Sequence, residues 1–502
     1  METTRWEFLK ESLSALGFLA LPGGWLFASP PGWKPKGKPN LVFGVISDTH
    51  LRTTVKGNRH GAHWPDKYFE AALRYFKEQE VDAVVHCGDM AHRGQTREME
   101  FHAEAWKRVF GGVENGPVKL FVTGNHDVDG SGYGDFVKNR YPDPAERAKY
   151  VLATDMAANW GRIWGEKYEP VWHKEVKGYH FFGRNWGVDD AELVRLVEET
   201  GKTVRLDDPA RPFFFMTHQR PVAPLRKRVS AKRNAVSFFG HNHWSIANWN
   251  MAYLYYGRLP CFECASCEPR GCSGLAGDAW ITKAKLEGRD PANTGKGRQG
   301  YVVCMYDDMM VLERHDFSDG EASLGADWVM PFEREEGRGK RPHPLSREER
   351  KKAIGEPQFR EGAKLEVSLD RIDKINKIAK TANDNPVNPV NLVQENPASP
   401  LLRVRIPLAD GNPDSRVYAY EVVVAGDEGT PKLRKAVYAA GVNTGIGREP
   451  DGGVTTLDIA GGELPPGKTL TVAVRPLSSL GTKGRAIARK VYLCGDRPFK
   501  SA

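Results

Sequence analysis

Pro117-Val118-Lys119-Leu120-Phe121-Val122-Thr123-Gly124-Asn125-His126-Asp127 is an apolar, strand-like run that ends in three residues able to bind a metal or carry a proton. A run of this length and character reads as a buried strand, and the Gly-Asn pair after it as a turn. Four other stretches repeat the design: residues 41–47 lead into Asp48-Thr49-His50, 81–87 into Gly88-Asp89, 212–217 into His218, and 234–239 into Gly240-His241-Asn242-His243. In an open α/β sheet, ligands bind outside the carboxyl ends of the strands. Five strands would thus deliver Asp, His and Asn to one edge, as a two-metal hydrolytic site requires.

Between these clusters the pattern alternates from strand to helix. Residues 66–80 place Tyr68, Ala71, Ala72, Tyr75 and Phe76 at helical spacing, and residues 81–87 follow as a buried strand. Residues 193–197 fall in another helical stretch, and 300–306 and 309–317 read as two closing strands around Asp307-Asp308. Strand, helix, strand in that order predicts an α/β fold from residue 40 to 333.

The rest of the chain has a different texture. Residues 334–353 are dense in Arg, Glu, Lys and Gly, and 370–399 in Asn, Pro and Lys, so 334–399 is expected to be a linker. Five short strands at 401–406, 416–424, 454–459, 469–474 and 486–492, separated by Gly, Pro and Asp turns, predict an all-β sandwich domain over 400–496. Pro465-Pro466-Gly467-Lys468 ahead of the fourth strand, then Gly481, resembles the late strands of a fibronectin type III-like module.

A length of 502 residues is too great for one small domain, and 40% hydrophobic residues with 13 Trp can fill more than one core. The net charge of +8 is spread among interspersed acidic residues, so it does not argue for nucleic acid. No run of 18 apolar residues occurs, so no spanning helix is expected. Residues 1–29 join a basic start to a broken apolar stretch and read as an export signal, with 30–39 as a tether. The start resembles a twin-arginine signal in which Trp6 stands for the second arginine before Phe8-Leu9-Lys10. Export to a bacterial periplasm or the extracellular space is the expectation.

Singly, each cluster has an ordinary explanation as a turn or cap, Gly-Asp above all. Together and in order, the five resemble the calcineurin-like metallophosphoesterase superfamily across residues 40–317. That resemblance implies a sandwich of two mixed sheets flanked by helices. It also implies that Asp48, His50 and His243 hold one divalent metal, that Asn125, His218 and His241 hold another, and that Asp89 bridges the two. The ligand mix suits Mn²⁺, Fe or Zn²⁺. His126 is then expected to act on phosphoryl or leaving-group oxygens, with Asp127 orienting its ring. Purple acid phosphatases carry a Tyr ligand three residues after the Gly-Asp aspartate. His92 stands there in this chain, and a tyrosinate–iron site is not expected.

Cys261, Cys264, Cys267 and Cys272 fall within twelve residues, inside an irregular insertion at 258–298. The spacing fits a structural zinc site, an iron–sulfur cluster or two disulfides, and does not choose among them. The leading function is metal-dependent hydrolysis of a phosphomonoester or phosphodiester. The alternatives are a surface protein that binds carbohydrate or protein through the sandwich, and a nuclease; no basic stripe interleaved with aromatics favours the nuclease. Specificity would lie in the loops at 51–65, 129–149 and 258–298, with His92, His60, His63 and Arg93 and the aromatics Trp64, Tyr133, Trp160, Trp172 and Trp186 as candidate lining.

Overall fold

The structure is a computed structural model. It describes residues 35, 37–52, 67–128, 139, 142–208, 211–221, 225, 227–228, 234–247, 249–255, 259–268, 272, 286–287, 297–318, 323–332, 343, 345–370, 401–411, 416–426, 431–439, 454–465 and 469–492. The expected export signal and most of the tether, with His60, His63, Trp64 and Tyr133, lie outside the described residues. Two compact units emerge, one drawn from Met1–Ala276 and Pro291–Ala353, the other from Gly277–Asp290, Ile354–Asn443 and Arg448–Ala502.

In the first unit the apolar runs become strands. They are β1 (Leu41–Ile46), β2 (Ala83–His86), β3 (Val118–Phe121), β4 (Val171–Val176), β5 (Tyr179–Arg184), β6 (Phe213–Thr217), β7 (Ala235–Phe239), β8 (Ala252–Tyr255) and β9 (Leu259–Glu263). Most of them are buried on both faces, with β4 and β8 partly exposed. Next come β10 (Leu286–Glu287), which belongs to the second unit, and then β11 (Gln299–Met305), β12 (Met309–Asp316) and β13 (Trp328–Pro331). One six-stranded sheet has the order β13-β12-β11-β1-β2-β3 and the other β4-β5-β6-β7-β9-β8. Within them, β1, β2 and β3 run parallel, as do β5, β6, β7 and β9. Both sheets are mixed, and continuous apolar runs are what parallel strands covered on both faces require.

The sheets pack through aromatic rings. Phe43 of β1 meets Phe181, Phe214 and Phe238 edge-on, at centroid distances of 5.4, 5.2 and 5.9 Å. Helices α1 (Lys67–Glu78), α2 (Thr96–Phe110), α3 (Pro144–Tyr150), α4 (Met156–Trp164) and α5 (Asp190–Thr200) accompany these strands, with a short helical turn at Asn125–Val128. Helices α1, α2 and α4 cover the outer face of the first sheet in one apolar cluster, and α5 covers the second in another. The buried face of α1 is Phe69, Ala72, Leu73 and Phe76, so the stripe is turned by one residue from the expected one, with Tyr68, Ala71 and Tyr75 only partly buried. Gly44 is required because Phe76 lies on its backbone, where a Cβ would come within 2.6 Å of the ring.

Two elements fall inside the stretch expected to be a linker. Helix α6 (Arg347–Ile354) is nearly all polar, so it has no apolar period to read, yet Arg350 is buried and donates to Ala252 O at 2.8 Å. After β14 (Gln358–Phe359), strand β15 (Glu366–Asp370) pairs along its whole length with β16 (Leu401–Ile406). The all-β unit thus starts well before residue 400. Its other strands are β17 (Ala409–Asp410), β18 (Val417–Ala425), β19 (Pro431–Tyr438), β20 (Thr455–Ala460), β21 (Thr469–Ser478) and β22 (Ile487–Tyr492). Sheets β15-β16-β20 and β10-β19-β18-β21-β22 share one apolar core, including Leu402, Val404, Val422, Val424, Leu457, Ile459, Val472 and Val474. Strand β19 was not legible because three basic residues, Lys432, Arg434 and Lys435, interrupt its apolar positions.

Candidate metal centre

The five clusters meet at the carboxyl ends of β1, β2, β3, β6 and β7. Asp48, His50, Asp89 and Asn125 come from the first sheet; His218, His241 and His243 come from the second. Left-handed backbone conformations turn the chain there: φ is +53° at Asp48, +46° at His50, +56° at Asp89, +79° at His241 and +59° at His243. Such angles cost a non-glycine residue on the order of 1–3 kcal/mol each and persist where the surroundings over-determine them. The surroundings here are a backbone lattice. Asp48 N donates to Gly88 O at 3.0 Å, His50 N to Asp89 O at 3.0 Å, and Gly240 N to His218 O at 2.8 Å. A Cβ on Gly240 would stand 2.3 Å from Asp48 Oδ2, so only glycine fits.

The seven residues implied as ligands fall into two groups, and His50, His92 and His126 form a third cluster beside them. In the first, His243 Nε2 is 3.1 Å from Asp48 Oδ1 and 3.1 Å from His50 Nε2. In the second, His218 Nε2 is 2.9 Å from Asn125 Oδ1, 3.1 Å from Asp89 Oδ2 and 3.2 Å from His241 Nδ1. Asp89 Oδ2 also lies 3.6 Å from His50 Nε2, so one carboxylate faces both groups. All seven residues implied as ligands are thereby brought together.

The chemistry of the second group fits a cation. His218 Nδ1 lies 2.8 Å from the Cys87 carbonyl, an acceptor, so that nitrogen carries a hydrogen. In the neutral ring Nε2 then offers a lone pair toward a carboxylate oxygen, an amide oxygen and a second imidazole nitrogen. Four lone-pair atoms this close repel unless a positive centre lies among them. The field is visible in the titrations. Burial would lower His218, but the Asp89 charge and hydrogen bond push it up to about 9. Burial likewise opposes His243, yet Asp48 and Glu268 push it up to about 10. Burial would raise Asp48, but the His243 charge and hydrogen bond hold it well below the usual carboxylate range.

A buried chain of polar groups stands behind the first group. Gly88 N–H donates to His86 Nδ1 at 3.2 Å, which leaves His86 Nε2 protonated and donating to Thr49 Oγ1 at 3.1 Å. Thr49 then donates to His102 Nε2 at 2.6 Å, and His102 Nδ1 donates to Glu98 O at 3.1 Å. Burial, with each other's proximity in the case of His86, keeps both imidazoles well below the usual range, His102 down to about 3. This chain ties the Asp48-Thr49-His50 turn to β2 and α2. His86 and His102 escaped the sequence reading because neither sits in a strand-end cluster.

His126 packs edge-on against His50 at 4.6 Å and stacks on His92 at 5.3 Å. Its Nδ1 donates to the His92 carbonyl at 2.7 Å. The expectation that Asp127 orients this ring is corrected. Asp127 is fully buried and instead accepts the backbone N–H groups of Ala91 (2.6 Å), Gly124 (2.8 Å) and Met90 (3.3 Å). A buried carboxylate goes where several N–H groups can satisfy it, and the loop after Asp89 supplies two of them. His92 is buried, with Nδ1 3.5 Å from His50 Nδ1, and Arg93 donates its backbone N–H to Glu98. Trp186 stacks on His241 at 6.1 Å, whereas Trp160 and Trp172 are core residues.

The four cysteines expected to form a second metal or disulfide site have the following surroundings. Cys261 lies in the apolar cluster outside the second sheet and Cys267 in the one outside the first. The Cys264 thiol points to Cys87 Sγ at 3.7 Å, and Cys272 donates to Ser266 O at 3.3 Å. All four are thiols, and among the described residues no three-ligand group includes a cysteine. Burial raises the Cys264, Cys267 and Cys272 thiols far above the usual range. Alternation along β9 sends Cys261 outward, and the turn after it sends the others to separate partners.

Residues 41–245 match the family model described as calcineurin-like phosphoesterase. This segment is similar to calcineurin-like phosphoesterase domains. Similar solved structures include a predicted phosphoesterase from Streptococcus pneumoniae, at 13% identity and a TM-score of 0.27, covering 58% of this chain and 97% of that one. A dimetal phosphatase from Danio rerio shares 11% identity at a TM-score of 0.30, over 59% of this chain and 100% of that one. A purple acid phosphatase from yellow lupin shares 14% at 0.36, over 58% and 54%. No curated protein matches the chain. Both groups of metal-ligand side chains lie within the matched span, and the second unit lies beyond it.

Proposed function

We propose that the protein hydrolyses a phosphate ester, mono- or diester, with two divalent cations. The observation that carries this reading is the pair of groups Asp48–His50–His243 and Asp89–His218–His241, with Asn125 beside the second and Asp89 facing both. Asp48, His50 and His243 would hold one cation, Asn125, His218 and His241 the other, with Asp89 shared. When bound, such a pair supplies an activated water and neutralises charge on the phosphoryl oxygens. The mixed oxygen and nitrogen donors suit Mn²⁺, Fe or Zn²⁺.

The chain's own groups do the rest. His126 Nδ1 is committed to the His92 carbonyl, so the proton it exchanges with the leaving oxygen is the one at Nε2. Burial lowers the His126 pKa and so favours the neutral ring, whose Nε2 lone pair can take up a proton. The Asp127 clip and the Thr49 chain hold the ligand loops and take no part in proton transfer. The test is metal content together with hydrolysis: two ions per chain and metal-dependent turnover are expected.

Two readings accompany it. The sheets β15-β16-β20 and β10-β19-β18-β21-β22 around one core support a fibronectin type III-like module, since two packed sheets of short, mainly antiparallel strands are its plan, with the short β10 an addition at one edge. The basic and apolar pattern of residues 5–28 supports export. A mature amino terminus near Ser29 in the periplasm or medium is expected, and intact Met1 on cytoplasmic protein would contradict it.

A further inference from the structure

The cysteine-rich stretch after β9 has another use. Cys264 N–H continues the sheet to Phe239 O at 2.8 Å. The chain then crosses to the end of β1, where Cys267 N–H donates to Ser47 O at 3.1 Å and Ser266 Oγ donates to Asp48 O at 2.9 Å. Ser266 Oγ also accepts the Glu268 N–H at 3.0 Å. This turn delivers the Glu268 carboxylate, 2% exposed, to the rear of His243. Its Oε2 lies 3.4 Å from His243 Nδ1, while Oε1 lies 3.2 Å from Arg52 Nη2. The other nitrogen of the same ring, Nε2, faces Asp48 and His50.

We infer that Glu268 is a positioning residue for His243, with Arg52 holding the carboxylate in place. A carboxylate behind an imidazole fixes which nitrogen carries the hydrogen, orients the ring and makes the opposite nitrogen a better ligand. Here it would keep the hydrogen on Nδ1 and turn the Nε2 lone pair toward Asp48 and His50. Arg52 directly follows Leu51, whose bridge to Ala91 fixes the strand-end loop, so both members of the ion pair stand on anchored backbone. The other imidazoles are held differently: His218 by a carbonyl, His50 by contact with His92. Glu268 therefore acts on one cation position and not the other. This inference rests on the two-cation reading above.

The full chain, stripped by chelator, is titrated with Zn²⁺ by calorimetry and its bound metal counted. Wild type is expected to take two ions. Glu268→Ala should weaken one of them by about 10–100-fold, leave the other unchanged, and leave the thermal midpoint of the metal-free protein near that of wild type. Glu268→Gln, which keeps an acceptor for Nδ1–H but not the charge, should lose less, and it keeps the test decisive if the alanine variant does not fold. Two ions at wild-type affinity in both variants would overturn the inference, as would equal weakening of both sites with a lowered midpoint. Wild type binding no metal would overturn the two-cation reading itself.

Discussion

The Asp127 carboxylate accepts the backbone N–H of Ala91 at 2.6 Å across 36 residues of sequence. With Gly124 and Met90 it satisfies three buried donors. Asp127→Ala should therefore destabilise the fold by about 3 kcal/mol or more, since each buried N–H left without an acceptor costs on the order of 1–3 kcal/mol. Denaturant unfolding checks this. An unchanged midpoint with a slowed turnover would mean that the residue serves catalysis and not the loop.

His126 should behave in the opposite way. His126→Ala removes no ligand of either group and leaves the backbone lattice in place. Metal content and unfolding midpoint should stay at wild-type values while kcat falls roughly 10²–10⁴-fold, as for a lost proton-transfer group. Turnover at the wild-type rate would remove His126 from the mechanism.

The contrast between these neighbours shows what was legible in the sequence. Parallel strands buried on both faces leave continuous apolar runs, and ligands at their carboxyl ends leave short polar clusters; both are local signals. Asp127 sits inside such a cluster, yet two of its three partners are main-chain groups of Met90 and Ala91, which no residue pattern encodes. Glu268 and the Thr49–His102 contact are hidden for the same reason, being long-range pairs between stretches that look unrelated. The four cysteines show another long-range effect: Cys264, close in sequence to the other three, has its thiol on Cys87, 177 residues away.

Glu263 makes stability depend on pH. It is fully buried, with Oε2 3.4 Å from the Asn242 amide nitrogen between the two imidazoles of the last cluster. Burial pushes its carboxyl from 4.5 up to about 8. A group raised in the folded state favours folding when protonated, so its contribution is fully present below about pH 4.5 and is lost as pH rises through about 8. Glu263→Gln, neutral throughout, should make metal-free protein lose less stability than wild type over that window, read from denaturation midpoints. Parallel pH profiles for the two proteins would contradict this.

The most direct test is Asp89, the carboxylate that faces both ligand groups. Chromogenic phosphate mono- and diesters are offered to wild type and Asp89→Asn, each supplied with Mn²⁺, Zn²⁺ or Fe²⁺, with bound metal counted in parallel. Metal-dependent hydrolysis by wild type with two ions per chain, and loss of turnover with depleted metal in Asp89→Asn, is the predicted result. Hydrolysis by Asp89→Asn at the wild-type rate would contradict the two-metal account.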